Sequence, residues 1–501
     1  MIPEPRWHSR NSRFEIDAAN FSEDIEKKSA RGGLFGIGSN VIKVLIQLTF
    51  TVILSRILSI DDYGIMAISM SLISFFLMFS DMGAGTATIQ KKQVDHRFVS
   101  SLFWFGMFSS VIIFIVCFFI SEFVTLIFND DRLKILMIFS SLIIPLGSLG
   151  AQHQALMSRQ ARWIEINILS VFCQILSGLL AIIVAWYLAF GYWALALQSV
   201  VATAANTAGL WFLCRWLPSN PSDWLRARES FSYGSYLVLF NVANYGHREA
   251  DNLIVGQQLG TAALGIYSRG YNLFMLPLTL VVWPIARVIM PLLSRQQDNP
   301  GAFARIYCGA LASVYLAVAP MAGALFLFAE ECVTLLYGEK WIESAEVLRI
   351  LAVVILLQPA YTSGGWIELS LGRSKRHFYA SLVAGCIYIL AFAVGVRGGV
   401  TGVAKGYLYA NMVVVIPWLW WATRGTSIGV SDFFRAIRGS VVVLTVSIVA
   451  VSFLPFGESD QSFLSLAIRS TCYSLAFVLA AFVYGLADRQ WSDLILNTIR
   501  S

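Results

Sequence analysis

Apolar runs of about 18–25 residues follow one another along almost the whole chain, separated by short clusters of charged and turn-forming residues. A hydrocarbon core of roughly 30 Å takes about 20 residues of α-helix, and a helix satisfies its backbone N–H and C=O groups within one segment. The pattern predicts fourteen membrane spans, near 33–57, 63–82, 99–120, 133–151, 166–188, 192–213, 233–257, 265–292, 304–328, 346–367, 378–396, 401–421, 438–454 and 463–486. The expected class is an all-α polytopic membrane protein. Pro277, Pro284 and Pro291 fall inside one span, so a bend at Pro277 or Pro284 is expected there. Residues 1–30 are polar and lack the apolar core of a secretory signal, which leaves the first span to act as an uncleaved one.

Composition agrees with the pattern: 57% of residues are hydrophobic and 13% charged, where a soluble domain carries about 25% charged. Seven scattered cysteines with no C-x-x-C predict neither a disulfide framework nor a metal site. Gly36-Ile-Gly38 is too short for a dinucleotide fingerprint and no phosphate-binding G-x-x-x-x-G-K-[ST] occurs, so no cofactor and no direct ATP drive is expected. The net charge of +6 is modest and no nucleic-acid partner is predicted; the placement of the charges is more informative. With the N-terminus inside, Lys and Arg collect in alternate loops, such as Arg159–Arg162 and Arg373–Arg376. The opposite face gathers Asp61, Asp62, Glu122, Asp130, Asp131, Glu330 and Glu331. Cytoplasmic loops are the basic ones, so both termini are placed in the cytoplasm, with the spans among membrane lipids.

The stretch from Tyr233 to Gly265 is apolar enough to span yet contains Arg248, Glu249 and Asp251. Asn241, Asn244, Arg248 and Asp251 recur at i, i+3, i+7 and i+10, one stripe of a helix. Ionisable groups at membrane depth cost about 2.5–3.5 kcal/mol each and normally face a bundle interior or a wet cavity. The alternative is an Arg248–Asp251 pair that merely joins neighbouring helices. Shifting the chain by 201 residues lays Asn40, Lys43 and Gln47 on Asn241, Asn244 and Arg248, and Gly64-Ile65 on Gly265-Ile266. Near the ends of the halves, 191–196 aligns with 399–404 at a shift of 208. Six spans separate equivalent points, so two like-oriented six-helix bundles plus two extra helices are predicted. The corresponding division is a tail at 1–30, a bundle at 31–214, a linker at 215–232, a second bundle at 233–424, and two helices with a short tail at 425–501. A cavity between the bundles would receive Lys43 and Arg248, cations suited to an anionic headgroup, and amides suited to sugar hydroxyls. His247, beside Arg248, reads as packing, and the aromatics at span ends, including Trp418–Trp421, as interface anchors.

Arg31-Gly32-Gly33, LSRILSIDDYGIMAI at 54–68, FSDMGAGTATIQKK at 79–92, FGYWALALQ at 190–198 and LGTAALGIYSRGYNL at 259–273 resemble a known family. It is the Wzx-type polysaccharide exporters, of the exopolysaccharide or colanic-acid subgroup, in the multidrug/oligosaccharidyl-lipid/polysaccharide superfamily. The resemblance spans roughly 30–486. It implies alternating access that moves undecaprenyl-pyrophosphate-linked repeat units to the periplasmic leaflet for exopolysaccharide, capsule or O-antigen synthesis, without catalysis. It also implies H+ or Na+ as coupling ion and the pathway's polymerase and chain-length proteins as partners. By position, Lys43, Arg248, Asp251 and Arg269 would line the cavity. Asp81, closing the second helix, is a gating candidate, with a helix-end cap as the alternative. Competing readings are a cation-coupled multidrug antiporter, a lipid II flippase, and a membrane glycan polymerase. The last is disfavoured because the longest predicted outer loop, 329–345, is short and its acids are spread rather than paired around basic groups.

Overall fold

A computed structural model describes residues 22–80, 84–91, 94–220, 249–452, 463–488 and 491. The chain divides into two compact units, Met1–Glu249 and Ala250–Ser501. In the first are helices α1 (Ser22–Ile57), α2 (Ile60–Ser80), α3 (Ala84–Gln90), α4 (His96–Phe128), α5 (Arg132–Ser140), α6 (Ile143–Arg159), α7 (Trp163–Tyr187) and α8 (Trp193–Cys214). In the second are α9 (Ala250–Leu259), α10 (Thr261–Pro277), α11 (Trp283–Arg295), α12 (Pro300–Leu327), α13 (Ala329–Tyr337) and α14 (Glu343–Ser370). They are followed by α15 (Ser374–Gly395), α16 (Gly399–Thr423), α17 (Val430–Ser452) and α18 (Phe463–Ala487).

Among the described residues, 12 stretches are long and apolar enough to cross a membrane, and one of them, the 50-residue Ser374–Thr423, holds two helices each long enough to span. The remaining predicted span, 233–257, falls largely outside the described residues. Large apolar side chains such as Phe119, Phe123, Trp186 and Leu390 stand exposed along the spans, the outer surface a lipid-facing helix presents. Helix α1 begins at Ser22, so residues 22–30 of the predicted tail continue the first helix.

Three boundaries differ from the pattern, each for a physical reason. The span expected at 133–151 is broken into α5 and α6. Pro145 cannot donate to the Ser141 carbonyl, which accepts from the Ile144 N–H at 2.9 Å instead. The expected proline bend is a π-helical segment, Leu278–Val282, lying between Pro277 and Pro284. It lets the chain pass two prolines without ending the helix. The predicted outer loop 329–345 is mostly helical: α13, a 3-10 turn at Glu339–Trp341, and the start of α14.

In each unit three of the connections contain a residue with positive φ. In the first, Ala161, Gly191 and Arg215 have φ of 55°, 54° and 51°; in the second, Gly372, Gly399 and Gly425 have 70°, 71° and 74°. Left-handed backbone is uncommon at Ala and Arg, so its appearance at matching junctions is informative. One contact recurs with it. Arg162 Nη2 donates to the Leu213 carbonyl at 3.2 Å, and Arg373 Nη1 donates to the Arg424 carbonyl at 3.0 Å. Both guanidiniums cap the end of a helix two elements away, offering donors to carbonyls that have lost their own.

The quoted segments of the first unit also meet. Asp62 of the IDDYG segment accepts from Ser59 N and Oγ at 2.9 and 2.7 Å, starting α2. Its other oxygen accepts from the Tyr192 N–H at 2.8 Å, in the FGYWALALQ segment.

Candidate functional site

In the first unit the α1 stripe packs on α7. Lys43 is half-buried within the span Gly38–Ile57, and its Nζ donates to Asn167 Oδ1 at 2.8 Å. The Asn167 amide in turn donates to the Trp163 carbonyl at 2.9 Å, and Gln174 Nε2 donates to the Lys43 carbonyl at 3.1 Å. Among the described residues no carboxylate pairs with the ammonium. Asn40 is half-buried and Gln47 exposed on the same helix. An ammonium at membrane depth held by one neutral amide keeps most of its capacity to attract an anion. Glu249 accepts from Ser71 Oγ at 2.7 Å, linking it to α2.

The second unit has a different interior. Asp251, on α9, is 3% exposed and accepts from Tyr267 Oη at 2.8 Å. Tyr267 stacks on Tyr271, Tyr271 meets Phe274, and Phe274 meets Tyr407 of α16 at centroid separations of 6.0, 5.2 and 6.1 Å. Beyond Tyr407 lies a buried polar knot. Gln358 Nε2 donates to Tyr407 Oη at 2.6 Å, and Asn411 accepts from Tyr388 Oη at 3.1 Å while its amide donates to the Tyr407 carbonyl at 2.8 Å. The spans of this unit are thus joined by amide and phenol groups, each satisfied inside the bundle as a medium without water requires.

Arg269, 7% exposed, lies over the rings of Tyr337 and Trp341 at 5.7 and 6.0 Å, beneath the α13 cap. Burial pushes the Tyr337 phenol up, and the neighbouring guanidinium works against that shift. Asn241, Asn244, His247, Arg248 and Asp81 lie outside the described residues.

Ion pairs gather at the ends of the spans. On the acidic side, Arg132 binds Asp61 and Asp130 at 2.6 Å each, Lys134 pairs with Glu122, Arg349 with Glu330 and Arg469 with Glu331. Arg469, within the last span, donates from Nη1 to Glu331 of α13 at 2.8 Å. The hydrogen bonds from Arg132 hold the Asp130 carboxyl below the usual carboxylate range. Trp418, expected as an interface anchor, is 4% exposed and donates to the Tyr361 carbonyl at 2.7 Å, whereas Trp420 and Trp421 do face outward.

Sequence reasoning missed Asn167, Gln174, Gln358 and Asn411. The first two are seven residues apart on one face of an otherwise apolar span, a signal of the same form as the stripe on α1.

A model of the family described as polysaccharide biosynthesis protein matches residues 53–346. The chain is 22% identical over 439 residues to the teichuronic acid biosynthesis protein TuaB of Bacillus subtilis (strain 168), covering 87% of this chain and 90% of that protein. It is 23% identical over 402 residues to the succinoglycan biosynthesis transport protein ExoT of Rhizobium meliloti (strain 1021), covering 79% and 81%. Its fold superposes on that of the lipid II flippase MurJ in an inward closed conformation with a TM-score of 0.72, at 14% identity, over 91% of this chain and 99% of the other. The helix order, the polar span interiors and the matched segment place this chain in the polysaccharide biosynthesis protein family.

Proposed function

We propose that this protein translocates lipid-linked oligosaccharide repeat units, carried on undecaprenyl pyrophosphate, across the bacterial inner membrane by alternating access. The observation that carries the reading is the Lys43 ammonium, held within a span by a neutral amide and by no described carboxylate. A pyrophosphate crossing the hydrocarbon needs cations that are fixed in place but not already neutralised. Asn40, Gln47 and the amides of Asn241 and Asn244 supply hydrogen bonds for sugar hydroxyls, and Arg248 supplies the second cation. The names of TuaB, ExoT and MurJ, which concern cell-surface polymers and a lipid-linked precursor, support the same substrate class. In this reading both termini are cytoplasmic, the halves are like-oriented, a proton or sodium gradient drives the cycle, and the pathway's polymerase and chain-length proteins receive the product.

Deletion of the protein is expected to leave lipid-linked repeat units on the cytoplasmic leaflet. Lys43→Ala should reduce polymer export at least tenfold with unchanged membrane insertion, measured as surface polysaccharide against protein in isolated membranes. Full export by Lys43→Ala would remove the cation from the mechanism.

A further inference from the structure

Near the end of α14, Glu368 is 0% exposed. Neither of its carboxylate oxygens accepts a hydrogen bond. Its ion-pair partner is Arg376 of α15, with Nη2 at 3.3 Å from Oε1. The same Nη2 donates to the Trp421 carbonyl at 2.6 Å, the guanidinium lies over the Trp421 ring at 5.0 Å, and its Nε is buried without a partner. Arg373, the second cation acting on Glu368, spends Nη1 and Nη2 on the Arg424 and Gly425 carbonyls. His377 lies against Gly365 and the Trp418 ring. From α16 come the Trp421 ring and carbonyl, both met by Arg376. Among the described residues Glu368 meets no further charge.

A buried carboxylate that receives no hydrogen bond, beside a guanidinium whose Nη2 is spent on a carbonyl and whose Nε is itself buried without a partner, is held by a single contact of 3.3 Å and gains little from being ionised. A metal ion is the wrong occupant, because two guanidiniums stand beside the acid and no second carboxylate or imidazole joins it; the described residues contain no cluster able to hold a metal. A proton needs one oxygen and a route from water. The half-exposed Arg376 side chain, with a relative exposure of 34%, marks that route.

We propose that Glu368 is a proton-binding site of the second unit. One carboxylate oxygen takes a proton from water, the ion pair with Arg376 is lost, and the guanidinium remains charged on the Trp421 carbonyl and ring. Helix α14 packs against α10, α11, α12, α13, α15 and α16, so a change of charge at its end acts on the helix around which the unit is built. The site goes beyond the transport reading and needs no substrate to be tested.

The full chain, reconstituted in liposomes without any sugar lipid, is stepped through pH and followed by infrared difference spectroscopy. A protonated-carboxyl carbonyl band should grow as pH falls, and Glu368→Gln should lose one acid's share of it. Arg376→Gln should move the midpoint of that share to higher pH, since removing the cation favours the neutral acid. An undiminished band in Glu368→Gln overturns the proposal. If Glu368→Gln does not fold, an unmoved midpoint in Arg376→Gln overturns it alone. Because neither readout involves export, a failed transport assay and a failed proton site remain distinct results.

Discussion

The α6–α7 junction and the α14–α15 junction are built alike and loaded differently. Each reverses through a left-handed residue, Ala161 or Gly372, and each sends an arginine to the carbonyls at the end of a later helix. In the first unit the accompanying pair is Arg162–Glu165, a two-pronged contact at 2.8 and 2.5 Å whose carboxylate is 42% exposed. In the second it is Arg376–Glu368, with the carboxylate fully buried and poorly bonded. The capping contact is therefore structural in both, and the buried acid is an addition peculiar to one. A repeat preserves its turns because backbone geometry leaves few alternatives, while the side chains at equivalent junctions are free to acquire separate tasks.

The sharpest way to break this comparison is to remove one arginine from each junction. Measured above the pH at which Glu368 takes its proton, Arg376→Ala strands a buried carboxylate and should cost about 3 kcal/mol. Arg162→Ala removes a solvent-screened pair and should cost no more than about 1 kcal/mol, chiefly through the lost bond to the Leu213 carbonyl. Combining Arg376→Ala with Glu368→Gln should recover most of the loss, since the stranded charge is gone. Thermal unfolding of the full chain in detergent would read all three; equal costs for the two arginines would show that burial of Glu368 is energetically irrelevant.

A second difference lies in how closely neighbouring helices approach. A Cβ on Gly402 would sit 2.2 Å from the Gly395 carbonyl oxygen, so α15 and α16 touch backbone to backbone. In the first unit a Cβ on Gly209 would also come to 2.2 Å, but from the Leu169 Cδ1, the far end of a flexible side chain. Backbone cannot step aside and a leucine can. Gly402→Ala is expected to destabilise by about 1–3 kcal/mol and Gly209→Ala by less than about 1 kcal/mol, measured in the same unfolding assay. Similar losses would mean that α7 and α8 are as rigidly registered as their counterparts.

Much of this architecture was legible because lipid imposes a simple rule: spans must be long, apolar and internally bonded. What the rule left open was decided by single residues acting at short range. Pro145 divides one span, and the prolines at 277 and 284 bracket a π-helical segment rather than a hinge. The α1 stripe could be read from spacing, but the Asn167 that receives Lys43 is 124 residues away, and no local period reveals such a pairing. Glu368 escaped for the opposite reason. It stands beside Arg373, Lys375 and Arg376, and beyond the predicted end of its span it reads as one more solvated loop charge. Helix α14 continues to Ser370 and takes the carboxylate inside.

The smallest expected effect concerns the opposite end of the spans, where the two units agree. Arg132 with Asp61 and Asp130 in the first, and Arg349 with Glu330 in the second, are exposed enough to be screened by salt. Asp130 is the more enclosed acid of the first cluster, and Arg132 holds its carboxyl below the ordinary carboxylate value. The unfolded chain therefore binds a proton at Asp130 before the folded chain does. Its contribution is complete above the unfolded carboxyl value and is lost as pH falls through the folded one. For a pair this exposed the contribution is under about 1 kcal/mol. Asp130→Asn should flatten the acid limb of the stability curve by that amount and leave the neutral limb parallel to the wild type. A wild-type acid slope in Asp130→Asn would assign the sensitivity to buried acids instead, and would widen the contrast between the ends of the spans.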